Sequence, residues 1–340
     1  MTGRTPFTQP LTTPCRGSCS FCWGWDAMRV TSSMTLAVLE SCSENIGLVR
    51  AVTLVAALIP ATMAQATEGG GSHYPNGAED FMAGALPPPG TYFINYLSWY
   101  SANSFRGEGG DKLLPDFELN VVADTLRLVH VTDYTFLGAN WALHAFVPFV
   151  NVDVSPVPGL SDSRFGLGDI IVDPFILGWH GKNWHVTTGV DIYVPTGSYD
   201  QDNLANIGRN YWTFEPVVAF TYLSDAGLEL SAKFMYDFNT KNEDTDYLSG
   251  QEFHLDYTLG YHTGPWSLGV GGYYYQQTTD DELGGEGVGE DGFRGRAFAI
   301  GPQAKYDYQN MAFTLKYQFE TEVENRPQGN SLWFKFLYAF

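Results

Sequence analysis

Cysteine is confined to the first part of the chain, and residues 67–340 contain none. All four cysteines precede that region: Cys15, Cys19, Cys22 and Cys42. A cysteine-free region cannot form disulfide bonds, which suits an exported protein that avoids mispaired disulfides. Long hydrophobic runs are also missing. No run of 18 apolar residues follows the Leu54 region, and this excludes membrane-spanning helices.

Basic residues are scarce in the same region. Without the four arginines and three acidic residues of 1–66, the chain has 14 basic and 35 acidic residues, a net charge of −21. A charge this negative argues against nucleic acid as a partner. The sequence also has no nucleophile-elbow motif and no HExxH zinc motif. We therefore predict that the protein is not an enzyme and has no catalytic residue, cofactor or bound metal.

A short export signal begins late in the chain, at Arg50. This basic residue is followed by the apolar stretch 51–60 and by a small-x-small site that ends at Ala66. The pattern predicts a secretory signal peptide that is cleaved after Ala66. Residues 1–49 have no role in such a signal. Two alternative starts fit the signal better: Met34, or a non-ATG codon near Val49.

The first three cysteines have the spacing C-x3-C-x2-C, which resembles the iron–sulfur motif of radical S-adenosylmethionine enzymes. Three thiolates at this spacing could ligate three irons of a cluster. The alternating βα pattern that such an enzyme needs does not follow. We therefore interpret residues 1–49 as a segment that is cleaved off or never translated.

Aromatic residues are abundant, at 15% of the chain, although the mean hydropathy is only −0.15. The end of the chain shows how they are arranged. Every second residue from Leu332 to Phe340 is apolar, whereas Lys335 falls on the other face. Tyr and Trp without long hydrophobic runs suit alternating strands with aromatic girdles at the two membrane interfaces.

Twelve strand-like segments follow Thr91. They lie near 91–101, 117–131, 141–154, 165–179, 184–196, 210–223, 228–240, 251–262, 266–278, 294–308, 311–322 and 331–340. Five tight connections rich in Gly, Asn and Asp alternate strictly with six long ones, near 102–116, 155–164, 197–209, 241–250, 279–293 and 323–330. A soluble sandwich has no reason to alternate in this way.

These patterns predict an all-β protein, a transmembrane antiparallel β-barrel of about 12 strands with short periplasmic turns and long extracellular loops. Fourteen strands remain an alternative if residues 67–90 or the longest connections hide a pair. We divide the chain into an extension with signal peptide (1–66), a Gly/Pro-rich leader (67–90) and the barrel (91–340). The leader is expected to be either a periplasmic segment or a plug in the lumen.

The alternation directs charged side chains to the barrel interior, since a Lys or Arg facing lipid near the midplane costs about 2–4 kcal/mol. Such residues either pair across strands and brace the barrel or tune which solutes pass. The candidate lumen-wall residues are Tyr273, Tyr275, Trp212, Asp169, Asp173, Asp191, Glu215, Lys233, Asp237, His254, Asp256, Lys316 and Lys335.

Three local features leave alternatives open. Pro174 removes a ladder donor and predicts a bulge, which either sets curvature or opens a side gap. The glycines of 269–272 leave lumen space beside Tyr273 and Tyr275, either for an aromatic solute or for the leader. The acids of 280–291 could coordinate Ca²⁺, but they lack the EF-hand spacing, which favours a solvated loop or one that faces lipopolysaccharide cations.

Several stretches of the chain resemble the outer-membrane protein family linked to the meta-pathway of phenol degradation. They are HYPNG (73–77), MAGALPPPG (82–90), GLGD (166–169), NIGRNYW (206–212), YDFN (236–239) and GGYYY (271–275). The resemblance implies a barrel that passes small aromatic or apolar solutes across the outer membrane. It supplies no catalytic residues.

We therefore predict an outer-membrane channel for small aromatic or hydrophobic solutes, located in the bacterial outer membrane. The alternative is a structural or surface-interaction barrel without a transport role. The expected partners are outer-membrane lipid and lipopolysaccharide, the solute itself, and the barrel-assembly machinery, which would recognise the last strand ending in Phe340.

Overall fold

The computed structural model describes residues 68–114, 116–289 and 292–340. The predictions for the start of the chain, for the cysteines and for cleavage after Ala66 lie outside these residues. Within the described part, no helix is long and apolar enough to cross a membrane.

The described residues form one short 3₁₀ helix, Glu68–Gly70, and seventeen strands. The strands are β1 (Gly90–Arg106), β2 (Lys112–Leu114), β3 (Glu118–Phe136), β4 (Ala139–Val157), β5 (Leu160–Leu167), β6 (Ile170–His180), β7 (Trp184–Val194), β8 (Thr213–Leu223), β9 (Leu228–Asn239), β10 (Tyr247–Leu248), β11 (Glu252–Thr263), β12 (Trp266–Gln277), β13 (Glu282–Leu283), β14 (Glu286–Gly287), β15 (Arg296–Tyr308), β16 (Met311–Glu324) and β17 (Pro327–Ala339).

The long strands close into one antiparallel barrel. Each pairs with its neighbour in sequence, and β17 pairs with β1 from Tyr92↔Ala339 to Phe105↔Pro327. Both β5 and β6 pair with β4, so they form one wall strand interrupted at residues 168–169. Counted in this way the barrel has twelve strands, and the predicted fold is confirmed. The short strands β2, β10, β13 and β14 lie in the connections.

The two faces of the strands follow the predicted alternation. On β16, Leu315 and Tyr317 are exposed on the outside, whereas Thr314 and Lys316 are buried inside. The pattern holds on β11, where the side chain of Asp256 is buried and that of Leu259 is exposed. Contact with lipid imposes this two-residue period, because an outward charge would lose its water without gaining a partner.

Both ends of the barrel wall, Gly90 and Ala339, lie at the end with the tight turns, which is the periplasmic end of an outer-membrane barrel. At the opposite end, two connections expected to be long are tight. The β4–β5 ladder continues to Val157↔Leu160, and only two residues separate β16 from β17. Beyond the lipid both faces of a hairpin meet water, so the ladder continues where the apolar alternation has ended.

A bulge interrupts the wall near Pro174, as the sequence predicted. The register shifts between Ala142 and His144 on β4, and again between Val172 and Leu177 where β6 pairs with β7. The freed carbonyl of Pro174 accepts a hydrogen bond from the Trp141 indole at 3.1 Å.

Residues 71–89 of the leader run through the barrel interior without forming a strand. Its main chain is bonded to inward side chains of the wall. The amide of Gly77 donates to Asp256 at 3.0 Å, and that of Met82 donates to Glu229 at 2.6 Å. The main-chain hydrogen bonds within the leader include those from Ala78 to Pro75 and from Ala85 to Met82, and the wall supplies partners for other leader amides.

Lys316 provides the complementary contact to the leader. Its ammonium group donates to the carbonyl oxygens of Ala78 at 2.7 Å and Glu79 at 2.9 Å. Gly77 has a φ of +78°, and a Cβ there would lie 2.4 Å from Oε1 of Gln318. The leader therefore fits the wall closely at this point, and only glycine allows its turn.

Gly84 makes the closest approach between the leader and the wall. Its amide donates to Thr221 Oγ1 at 2.9 Å, and a Cβ there would lie 2.6 Å from the main-chain carbon of Phe220. We expect Gly84→Ala to push the leader off β8 at a cost of about 1–3 kcal/mol, which raises the undocked population about 5- to 150-fold. Chymotrypsin cleavage within 68–89 of the folded protein, followed by mass spectrometry, measures this release.

Gly287→Ala is the matched control, because a Cβ at Gly287 meets nothing within 4 Å. This variant should be cleaved like the wild type. Equal cleavage of Gly84→Ala and the wild type would show that the leader is not held against β8.

Candidate functional site

The leader divides the barrel interior into two cavities. The upper cavity, towards the extracellular end, has a volume of about 510 Å³, and the lower one has a volume of about 450 Å³. The upper wall is mainly aromatic and aliphatic, and includes Tyr96, Tyr100, Leu119, Phe146, Val152 and Trp333. The lower wall mixes apolar and charged groups, including Ile94, Val129, His144, Ile176, Lys305 and Leu337.

Charged side chains of leader and wall meet between the two cavities. We call this set the charged constriction, and it consists of Glu79, Arg127, His144, Asp191 and Lys233. Glu79, Asp191 and Lys233 line both cavities. Nζ of Lys233 lies 4.0 Å from Glu79 and 3.9 Å from Asp191, so one cation bridges an acid of the leader and an acid of the wall.

Arg127 and His144 order the constriction. Arg127 donates to the Tyr96 hydroxyl at 3.0 Å and to Nδ1 of His144 at 2.9 Å. Since Nδ1 accepts, the proton of the neutral His144 ring is on Nε2, which donates to Asp191 at 2.7 Å. Every member of this network therefore has a partner of opposite polarity.

Tyr273 and Tyr275 both point into the barrel, and their exposed fractions are 5% and 0%. Tyr273 lines the upper cavity, and its hydroxyl donates to Glu320. Tyr275 is not among the residues that line either cavity, and the Arg326 guanidinium lies 4.0 Å from the centre of its ring. The glycines of 269–272 allow neighbouring strands to approach closely, since a Cβ at Gly272 would overlap the Ala299 carbonyl oxygen.

Asp169 lies in the break between β5 and β6 and ties three segments together. It accepts hydrogen bonds from the main-chain amides of Gly197 at 2.8 Å and Arg209 at 2.7 Å. His73 of the leader contacts the same carboxylate at 2.9 Å. Asp169 therefore fixes both the start of the leader and the 197–209 connection at the rim of the upper cavity.

The remaining inward candidates fall into three sets. Asp256, Lys316 and Lys335 bind the leader, and Lys335 does so through an ion pair of 2.7 Å with Asp80. Asp173 lines the lower cavity, where its carboxylate accepts from the Phe175 amide. The other three candidates lie close together on neighbouring strands: Glu215, Asp237 and His254.

Trp212 is a correction, because it does not line the lumen. Its side chain is 42% exposed and its ring stacks with Phe214 on the outer surface, whereas Thr213 between them is fully buried. Trp212 directly precedes β8 and shares the outward face with the residue two positions later. It belongs to the aromatic belt near the extracellular lip.

Three members of the constriction were not predicted from the sequence: Arg127 and His144 on the wall, and Glu79 on the leader. Arg127 and His144 occupy inward positions of strongly apolar strands, and this lone-charge pattern was the available signal. Glu79 gave no such signal, since it lies in a segment without periodicity.

A closed barrel with an apolar outer face, a charged interior and tight turns at one end defines an outer-membrane β-barrel protein. The two cavities on either side of the leader are typical of a channel with a constricted lumen. Residues 102–336 match the family described as "Putative MetA-pathway of phenol degradation", and the chain belongs to this family. The resemblance seen in the sequence is thus confirmed.

A solved structure at TM-score 0.70 shows the same fold, and two others are similar at lower scores. The COG4313 outer membrane channel from Pseudomonas putida F1 aligns with a TM-score of 0.70 at 19% identity, over 77% of this chain and 99% of that one. The KdgM porin gives 0.41 at 9% identity, over 73% and 99% of the two chains. The TodX deltaS2S3 mutant monoaromatic hydrocarbon channel gives 0.40 at 9%, over 82% and 98%. No curated protein matches the chain significantly.

The extracellular connections form a small sheet of β10, β13 and β14 beside the barrel rim. Asp281 holds this sheet to the wall, since it accepts from the Tyr247 hydroxyl at 2.6 Å, the Gly250 amide at 2.6 Å and the Gln277 amide at 2.8 Å. Asp280 pairs with Arg294 at 2.6 Å. The carboxylates of Asp280 and Asp281 are therefore already bound to donors of the protein itself, which argues against the Ca²⁺ alternative.

Burial raises the pKa of Asp281 to about 7. In the unfolded chain the Asp281 carboxyl loses its proton above about pH 4, whereas in the folded protein it keeps the proton up to about pH 7. The sheet therefore loses stability as the pH rises between these two values. We expect the exchange protection of the Gly250 amide to fall by roughly tenfold or more between pH 5 and 8. Hydrogen exchange corrected for intrinsic rates measures this.

Asp281→Asn is the neutral counterpart, and its protection should not change over the same pH range. A wild-type protein whose Gly250 protection is also flat would show that Asp281 is already ionised at pH 5.

Proposed function

We propose that this protein is a passive outer-membrane channel for small aromatic or hydrophobic solutes, linked to the degradation of aromatic compounds. The upper cavity is the observation that carries the proposal. Its volume of about 510 Å³ lies within the range of small-molecule sites. Its wall offers the rings of Tyr96, Phe146 and Trp333, against which a planar solute can stack.

The floor of the cavity suits aromatic solutes that carry a hydroxyl or a carboxylate. Lys233 faces the upper cavity at its narrow end, and Arg127 lies below it on the side of the lower cavity. An acidic substituent entering the constriction can exchange hydrogen bonds with these two cations in turn. A solute that crosses the barrel would meet an apolar entrance, then the charged constriction and then the lower cavity. This order gives a route with successive weak sites, which conduction requires.

On this proposal the leader is a plug that must shift for a solute to pass. It is held by polar contacts with the wall, and these can exchange with water one by one. The pairing of Lys335 with Asp80 and of Lys316 with leader carbonyls fixes its resting position. Export through a signal peptide cleaved after Ala66 would place the leader at the mature N-terminus, directly ahead of the barrel.

The fold shared with the COG4313 outer membrane channel supports a role without catalysis. As partners we propose outer-membrane lipid and lipopolysaccharide around the apolar belt, and the barrel-assembly machinery at the last strand, which ends in Phe340. A structural or surface-interaction barrel is the second candidate. The leader between the two cavities favours it, because a lumen that never opens would conduct nothing.

Solute flux into proteoliposomes tests the channel directly. 4-Hydroxybenzenesulfonate is a suitable aromatic-acid probe, because its sulfonate stays ionised at working pH and keeps it from crossing bare lipid, and a sugar of similar size is the control solute. We expect the aromatic acid to enter faster than the sugar, while empty liposomes admit neither. Equal entry of both solutes would indicate a general pore. Entry no faster than in empty liposomes would favour the structural barrel.

Lys233 should set the charge preference of the constriction. Lys233→Met leaves Glu79 and Asp191 without their shared cation, so we expect a shift towards cations. One charge at about 4 Å in water-like surroundings contributes about 1 kcal/mol, which corresponds to a roughly fivefold change in the anion-to-cation permeability ratio. Reversal potentials in planar bilayers under a salt gradient measure the ratio.

Lys182→Met is the matched control, since Lys182 is exposed on a periplasmic turn and, within the described ranges, forms an ion pair with Asp225 alone. It should leave the reversal potential unchanged. An unchanged potential in Lys233→Met would mean that ions do not pass through the constriction.

A further inference from the structure

A second cluster of titratable side chains lies in the wall, away from both cavities. Asp237 on β9 and Glu252 and His254 on β11 are fully buried, and none of them lines either cavity. Strand pairing places Glu252 directly opposite Asp237, and His254 follows on the same inward face. One ligand atom from each residue lies within 4.8 Å of the other two.

The hydrogen bonds around His254 determine what its second nitrogen can do. Nδ1 lies 2.7 Å from the side-chain oxygen Oδ1 of Asn76 and donates its proton there. In the neutral ring Nε2 therefore presents a lone pair, and it faces Oδ2 of Asp237 at 3.3 Å and Oε2 of Glu252 at 3.5 Å. Three acceptors thus face one another.

The described part of the chain supplies these acceptors with no N–H or hydroxyl donor. Both carboxylate oxygens of Asp237, Oε2 of Glu252 and Nε2 of His254 are buried without one, and the group that interacts with Asp237 from the adjacent strand is another carboxyl, that of Glu215. Leaving such groups unpaired costs about 1–3 kcal/mol each, and more when they are charged. The charged constriction shows the contrast, since there Arg127 and Lys233 supply the positive charge that His144 and Asp191 face.

We propose that Asp237, Glu252 and His254 form a binding site for a divalent transition-metal ion of the zinc type. Ligand arms of about 2.0–2.1 Å in a tetrahedral site separate neighbouring ligand atoms by about 3.3–3.4 Å. The distances of 3.3 and 3.5 Å from Nε2 to the two carboxylates fit this spacing. An imidazole ligand disfavours Ca²⁺ and Mg²⁺, which take oxygen ligands.

The surroundings of the site match the requirements of a bound ion. Asn76 fixes the ring of His254 through the nitrogen that does not bind the metal, as outer ligands do in metal sites. Glu215 on the adjacent strand also has a buried oxygen without a donor, and its carboxylate interacts with that of Asp237. Glu215 is therefore the candidate for the fourth ligand.

The site also touches the leader. The Tyr74 ring packs edge-on against His254 with a centroid distance of 5.4 Å, and Asn76 accepts the His254 proton. An ion that holds His254 in place therefore holds residues 74–76 of the leader. This metal binding does not depend on which solute the barrel passes, or on whether it passes any.

Metal content tests the proposal. Protein extracted in the folded state from outer membranes is equilibrated with Zn²⁺, freed of loose ions by gel filtration and analysed by mass spectrometry. We expect about one zinc ion per chain, consistent with a single site. Asp237→Asn should lose the ion, while Asp225→Asn, which removes an exposed acid from a periplasmic turn, should keep it. Heat-modifiable migration in gels verifies that each variant is folded.

Cobalt provides a second readout. Co²⁺ bound by one imidazole and carboxylates in a tetrahedral site gives visible absorption bands. Glu252→Gln should abolish these bands, and it replaces Asp237→Asn as the test variant if Asp237→Asn does not fold. Zinc should also raise the melting temperature of the wild type and slow chymotrypsin cleavage of the leader. A folded wild type without stoichiometric zinc, or equal zinc in wild type and Asp237→Asn, would overturn the proposal.

Discussion

The bonding of the leader by buried charges of the wall is the interaction on which the rest of the interior depends. The leader has no secondary structure, so its amides and carbonyls need partners in a lumen where little water remains. Asp256 and Glu229 accept from its amides, and Lys316 donates to its carbonyls. The two cavities and the constriction between them are the space that this docked segment leaves free.

The sequence predicted the wall well because lipid acts on every strand in the same way. Apolar residues must alternate wherever a strand crosses the membrane, so strands such as β11 and β16 could be located with their inward faces assigned. The rule fails where lipid ends. It missed the continuation of the β4–β5 hairpin through 155–164, since in water a strand needs no apolar face. Trp212 is a different case, because the rule places it on the face opposite Glu215, and its assignment to the lumen went against the rule.

The partners of the inward residues could not be predicted in the same way. Gly77 and Asp256 are 179 positions apart and meet only because the leader enters the closed barrel. The pairing of Glu252 with Asp237 is different, because it follows from the hairpin register once β9 and β11 are known. Local order was thus readable from the chain, while contacts between leader and wall required the closed barrel.

The position of the leader directly ahead of β1 has a consequence for assembly in the membrane. The seam between β1 and β17 joins the two ends of the barrel wall, so the loop that it closes is the longest in the protein. The leader contacts strands from β3 to β17, which are made after it, and it is continuous with one side of the seam. If the seam closed first, the leader would have to enter the finished barrel end-on and thread past the inward side chains of the wall. The order favoured by the topology is therefore docking before closure, so that the last step in folding seals the leader inside.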